Sequence, residues 1–363
     1  MIYLDYQATT PLAPEALEAM LPWLRDSHAN PHSSHSAGRA AKAAVEVARE
    51  RVSALLPPGG SLAFTSGATE ALNWAIKGTS GSIVTIATEH AAVLDTVEAV
   101  RREGRRAVIL PVGVDGLIDL EAARAAIAPG VGLVAAMLVN NETGVIQPIS
   151  ALADLAHAAG ALMLCDAVQG YGRVPIPDAC DLVAVSGHKI HGPKGIGALW
   201  VRDGVTLEPL IHGGGQEALG RSGTLSPALC AGFGIAAQLI ANRANADQAH
   251  VELLAGIARQ HFGPGWHING STNQRYHGNL NLRRDGLDVA RLMSDCRTIA
   301  FSAGSACASG SGRPSHVLQA MGLTEAEARA SIRLGFGRYT TQEELMTAID
   351  AIIAAAAAQE MVA

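Results

Sequence analysis

The residues of this chain best suited to chemistry fall in five polar clusters, each directly after an apolar run. They are Ser66-Gly67-Ala68-Thr69, Glu89-His90, Asn140-Asn141-Glu142, Asp166 with Gln169, and Gly187-His188-Lys189. A Ser/Thr pair ahead of a helix suits an anion, because the free N–H groups and positive dipole end of a helix start favour negative charge. Taken singly the signals are weak. The same pair is an ordinary N-cap, Asp166 equally caps the next helix, and lone histidines such as His90 and His188 are more often structural. Lys189 carries more weight, since an amine desolvated among such groups becomes a Schiff-base nucleophile. A phosphate cradle, an acid and a lysine together point to pyridoxal 5′-phosphate (PLP), which needs a lysine and an acidic partner on its ring nitrogen. GPKGIG at 192–197 lacks the GxxxxGK[ST] spacing, which excludes a P-loop.

Cys307 stands apart from these clusters, inside SAGSACASGSG at 302–312. A free cysteine is usually buried. Here glycines remove backbone restraint and serines favour turns, which predicts an exposed, mobile loop. Cys165, Cys180, Cys230 and Cys296 lie in apolar or helical settings and read as structural. Five cysteines without a CxxC pair suggest no disulfide framework and a reducing, cytoplasmic setting.

The elements that must position these groups are legible as alternating patterns. Strand candidates are SLAFT (61–65), SIVTIA (82–87), AVILPV (107–112), VGLVAAMLV (131–139), ALMLC (161–165), DLVAVS (181–186) and GALWV (197–201). Ala-rich helical stretches separate them, which predicts an α/β protein whose seven-stranded, mainly parallel sheet is covered by helices on both faces. In such sheets ligands sit beyond the carboxyl ends of the strands, where the five polar clusters fall. After about residue 245 the alternation weakens. Thr324 with Glu327 and Thr341 with Glu344 fit capping boxes that start helices. The expected organisation is a large domain over 15–245 and a smaller α/β C-terminal domain formed by 1–14 and 246–363.

Composition narrows the class. The chain has 363 residues, 48% hydrophobic and 17% charged, with a formal net charge of −6. That is ample for a core and gives no basic footprint for nucleic acid or anionic lipid. MIYLDYQATTP at the start has Asp5 where a signal peptide has basic residues followed by an apolar run, and AIIAAAAA at 351–358 is too short to span a bilayer. The expectation is a protein without nucleic-acid or membrane partners.

The ordered motifs YLDYQATTP (3–11), NPHSSHSAG (30–38), FTSGATEALNWAIKG (64–78), TEHAAVLD (88–95), VNNETGVIQPI (139–149), DAVQGYG (166–172), SGHKIHGPKGIGAL (186–199), HGGGQE (212–217), RSGT (221–224), GSACASG (304–310) and SIRLGFGRYTT (331–341) cover nearly the whole chain. In them the chain resembles the cysteine desulfurases of the NifS/IscS group, in the class V branch of fold-type I PLP-dependent transferases. The resemblance implies that Lys189 holds PLP covalently, Asp166 pairs with the ring nitrogen, Gln169 bonds the ring hydroxyl, and His90 stacks on the ring and assists proton transfer. It further implies that Ala68, Thr69, Ser186 and His188 bind the phosphate, that Asn141 lies near the ring, and that Arg333 binds the substrate carboxylate. Thr224 would reach the phosphate of a second subunit, which implies a homodimer. Cys307 would attack the sulfur of L-cysteine, leaving alanine and a persulfide on itself. The sulfur would pass to an acceptor such as an iron-sulfur scaffold protein, in whose complex Cys307 can contact the cluster iron.

Two departures from the group's pattern stand out: Asp-Tyr-Gln at 5–7 and Val168 where relatives commonly have Thr. The rival readings are another class V enzyme, such as a selenocysteine lyase or aminotransferase, and a non-catalytic sulfur-transfer partner. A simple aminotransferase has no need of the Cys307 thiol, and the Lys189, Asp166 and Arg333 set argues against a non-catalytic protein.

Overall fold

The computed structural model describes residues 1–304 and 314–360. The chain opens with β1 (Ile2–Tyr3), α1 (Pro14–Arg25) and α2 (Ser36–Ser53). Strands and helices then alternate through β2 (Gly60–Thr65), α3 (Ala68–Lys77), β3 (Ser82–Ile86), α4 (Ala91–Arg102), β4 (Ala107–Leu110), α5 (Leu120–Ala126), β5 (Val131–Met137), α6 (Ile149–Ala158), β6 (Leu162–Asp166), β7 (Leu182–Ser186) and β8 (Gly197–Arg202). The long α7 (Pro227–Phe262) leads to β9 (His267–Ile268), β10 (Asn279–Arg283), α8 (Val289–Asp295), β11 (Ile299–Ala300) and β12 (Ser302–Ala303). The last elements are α9 (His316–Ala320), α10 (Glu325–Arg329), β13 (Ser331–Gly335) and α11 (Gln342–Glu360).

Strands β2 to β8 form one seven-stranded sheet in the order β2-β8-β7-β6-β5-β3-β4. Each contains most of one apolar run expected to be a strand. All neighbours are parallel except β8, which runs antiparallel to both β2 and β7. The two-residue period of a strand sends alternate side chains to opposite faces. Leu62, Phe64, Val134, Ala136, Val183 and Val185 thus join a core with α2, α6 and the first half of α7. Ala63, Leu133, Ala135, Leu182 and Ala184 join another with α3 and α4. Because both faces are buried, the runs are nearly continuous in apolar residues instead of alternating with polar ones.

A second sheet, antiparallel in the order β12-β13-β10-β9, rests on its own core with α8, α11 and the second half of α7. Residues Cys230 to Ile240 of α7 lie in the first core, and Leu254 to Phe262 lie in the second. Position 245 falls within this helix, between the two stretches. The N-terminal segment belongs to the second sheet's surroundings: β1 pairs with β11, Leu4 is in its core, and Asp5 bridges to Gly335. Thr324 and Glu327 make a complete capping box at α10, and Thr341 with Glu344 bonds reciprocally at the start of α11. Among the described residues no helix is long and apolar enough to cross a membrane.

Candidate active site

A cavity of about 440 Å³ opens beyond the carboxyl ends of the large sheet's parallel strands. Its walls include Ala68, Thr69, His90, Asn141, Asp166, Gln169, Ser186, His188, Lys189 and Arg333. The strand ends position them: β6 ends at Asp166 and β7 at Ser186, and a short 3-10 turn then carries Gly187 to Lys189. Thr224 is exposed and is not part of this wall. Cys307, including its expected iron contact, lies outside the described residues.

At one end the cavity meets the start of α3, where Gly67 is the N-cap and, among the described residues, no side chain caps the helix. The first-turn N–H groups of a helix have no partner within the helix, so this end is prepared for an anion. Glycine matters here for close approach. A Cβ on Gly197 of β8 would stand 2.6 Å from Val185 O and 2.7 Å from the Gly67 carbonyl carbon, so the helix start packs against bare backbone. Glu70 takes the Ser66 N–H at 2.7 Å and pairs with Arg221 at 2.9 Å, which ties the RSGT segment to the same helix.

Toward the centre, the Lys189 ammonium donates to the main-chain carbonyls of Gln7 at 2.5 Å and Ala8 at 2.9 Å. Gln169 Nε2 also donates to Gln7 O, at 2.9 Å. His188 is held by the N-terminal segment through Thr9 and Thr10. Burial, reinforced by the charges of Lys189 and Lys194, pushes the His188 pKa down to about 4. His90 caps α4, with Nδ1 accepting from the Ala92 N–H at 3.0 Å, so the neutral ring carries its proton on Nε2. Burial and the nearby charges of Lys189 and His316 lower its pKa and keep it neutral near pH 7.

Asp166 is buried, and one carboxylate oxygen accepts from the Val168 N–H at 3.0 Å. Loss of hydration raises its pKa to about 6, with the Val168 bond and the Lys189 charge acting in the opposite direction. Glu89 is fully buried, with Oε1 accepting from Met137 N–H at 2.6 Å and Oε2 without a partner among the described residues. Burial, then the charge of Asp166, hold its pKa well above the usual carboxyl range.

Arg333 sits on β13 with its neighbours Ile332 and Leu334 in the second core, while its own side chain is fully buried against the cavity. It donates to Asn141 O at 3.0 Å and to Asp5 Oδ1 at 2.6 Å, and its Nε has no partner among the described residues. Sequence reading alone misses the partnership with Asp5 and the role of Gln7. Neither role has a local signal, since Gln7 acts through its main-chain carbonyl and Asp5 through a partner far along the chain. Cys165 and Cys230, by contrast, are buried with thiols pushed upward, Cys230 to about 12, as suits inert structural residues.

The donor set fits PLP. An uncapped helix start with hydroxyl and imidazole groups suits a phosphate, a buried acid suits a ring nitrogen, and a lysine amine in the same cavity suits an aldehyde. Among the described residues no group of three or more His, Cys, Asp or Glu side chains could hold a metal ion.

Residues 2–347 match the class-V aminotransferase family. The chain is 44% identical over 368 residues to the cysteine desulfurase IscS of Rickettsia felis, covering 97% of this chain and 90% of the relative. A solved NifS-like protein superposes with a TM-score of 0.90 at 31% identity, covering 97% of this chain and 98% of that one. The SspA protein, solved in complex with cysteine, gives a TM-score of 0.84 at 35% identity, covering 94% and 100%. With the uncapped helix start, the buried acid and the lysine in one cavity, these matches show that the chain belongs to the class-V aminotransferase family, among its PLP-dependent cysteine desulfurases.

Proposed function

We propose that this protein takes sulfur from L-cysteine onto Cys307 and passes it to an acceptor protein, using PLP held by Lys189, Asp166, Gln169, Asn141 and the Ala68, Thr69, Ser186 and His188 end of the cavity. The observation that carries this reading is the sharing of one cavity by the Lys189 amine, the buried Asp166 carboxyl and the Arg333 guanidinium. Its relative SspA, solved with cysteine, supports the choice of substrate.

PLP bound there would supply an electron sink for the carbon that bears the substrate amino group. Asp166 would hold a proton on the ring nitrogen, and Gln169 would bond the ring hydroxyl. Arg333 receives the substrate carboxylate, for which a planar guanidinium is well matched, while Asn141 O and Asp5 hold its plane. His90, with its proton on Nε2, passes protons at the reacting atoms. The Cys307 thiolate attacks the substrate sulfur, so that an S–S bond forms as the C–S bond breaks, and alanine leaves.

The sulfur would pass to an acceptor protein such as an iron-sulfur scaffold, in whose complex Cys307 would contact the cluster iron. The setting is the cytoplasm. Thr224 is exposed next to the Arg221–Glu70 pair that ties its segment to α3. In the proposed homodimer it reaches the phosphate site of a second copy. The two cores that share α7 support a large domain over 15–245 and a small one formed by 1–14 and 246–363.

The test is turnover of L-cysteine by the purified protein and by Cys307→Ala. The variant is expected to keep the yellow cofactor and to lose alanine and sulfide production. Unchanged turnover would sink the assignment.

A further inference from the structure

Arg173 bonds both Gln169 and Lys189 but does not line the cavity that they share. Its Nη1 donates to Gln169 Oε1 at 3.3 Å and to Gln169 O at 3.4 Å, and its Nη2 donates to Lys189 O. Its guanidinium stands 5.4 Å from the ring centroid of Tyr276, so the plane of the fork is held by an aromatic face as well. Arg173 itself lines a separate cavity of about 400 Å³, which also contains Tyr276.

The chemistry of the partners fixes the Gln169 amide without ambiguity. A guanidinium can only donate and the Gln7 carbonyl can only accept. The amide oxygen must therefore face Arg173 and the amide nitrogen must face Gln7 O, as observed. One N–H of that nitrogen is used on Gln7 O, and the second remains for the cavity that Gln169 lines. Without Arg173 the amide loses the partner that sets its orientation, and a turned amide offers an oxygen where a donor is needed. The same guanidinium anchors the main chain of Lys189, whose ammonium reaches Gln7 O as well as Ala8 O.

We infer that Arg173 is a positioning residue, which fixes Gln169 as a hydrogen-bond donor toward the cofactor ring and holds the backbone of Lys189. The inference rests on the reading that PLP binds in this cavity. A donor held against a ring oxygen favours its ionised form, so removing the orientation moves the ionisation to higher pH.

The test is a pH titration of the visible absorption band of the purified holoprotein, compared with Arg173→Met, Arg173→Gln and Arg173→Lys. The midpoint is expected to rise by about 0.5 pH unit or more in Arg173→Met and Arg173→Gln, and to return toward the parent value in Arg173→Lys. If Arg173→Met does not fold, Arg173→Gln decides. A parent protein with no visible band overturns the PLP reading itself. A parent band with a midpoint unmoved in the folded variant overturns the role of Arg173 alone.

Discussion

The Nη2 of Arg333 donates to Asp5 Oδ1 at 2.6 Å, joining residues 328 positions apart in the chain. The Ser302 hydroxyl donates to the same oxygen at 2.9 Å, so strand β12 is tied to the pair. A fully buried guanidinium would be costly without a partner, and Asp5 supplies the opposite charge. The N-terminal segment is therefore a structural part of the cavity: it neutralises Arg333, and its carbonyls hold Lys189 and Gln169.

Replacing Arg333 by Lys keeps the charge and removes the fork. The account predicts a fall in kcat/KM for L-cysteine of at least about tenfold, mostly through a raised KM. Rates of alanine release across cysteine concentrations check it. An unchanged KM would remove Arg333 from the role of carboxylate receptor.

The Asp166 carboxyl gives the cofactor-free protein a defined pH dependence. Its pKa in the fold is about 6 against an ordinary 3.8, so the folded state binds its proton more tightly than the unfolded chain does. The resulting stability is fully present below the ordinary value and is lost as pH rises through about 6, a change of roughly 3 kcal/mol at most. Asp166→Asn removes this dependence. Between pH 4 and pH 7, on the order of the window set by these values, the Tm of the cofactor-free parent should fall relative to that of the variant. Parallel Tm curves would contradict the burial argument.

Gly197 makes the approach of α3 to the sheet possible. In Gly197→Ala the new Cβ meets backbone at 2.6 and 2.7 Å, which cannot turn aside as a side chain can. The expected cost is about 1–3 kcal/mol of stability, together with weaker retention of the cofactor. Denaturant titration and absorbance after dialysis measure the two effects. A variant equal to the parent in both would show that the helix start is not held against β8 as described.

Much of this architecture is legible in the sequence, and the parts that are not share a cause. The inner strands announce themselves because both faces of the sheet are buried there, so SIVTI or LVAVS reads as an apolar run with polar residues waiting at its end. Nothing in GALWV encodes that β8 runs opposite to its neighbours, because direction is set by the connections and not by the strand's residues. Gln7 serves Lys189 and Gln169 through its main-chain carbonyl, a group that every residue possesses. Asp5 gains its role from a partner 328 positions away, and the Glu89 pKa is pushed up by burial beside Asp166. Such roles come from tertiary placement, which residue type and local spacing do not express.

The central claim is that Lys189 and Cys307 act together to lift sulfur from L-cysteine. The most direct test is to incubate the holoprotein with L-cysteine carrying labelled sulfur and to map the label by peptide mass. The account predicts label on the Cys307 peptide, removable by a thiol reductant, with equimolar alanine, and neither product in Lys189→Ala. Labelled sulfide and alanine released at the parent rate by Cys307→Ala would contradict it.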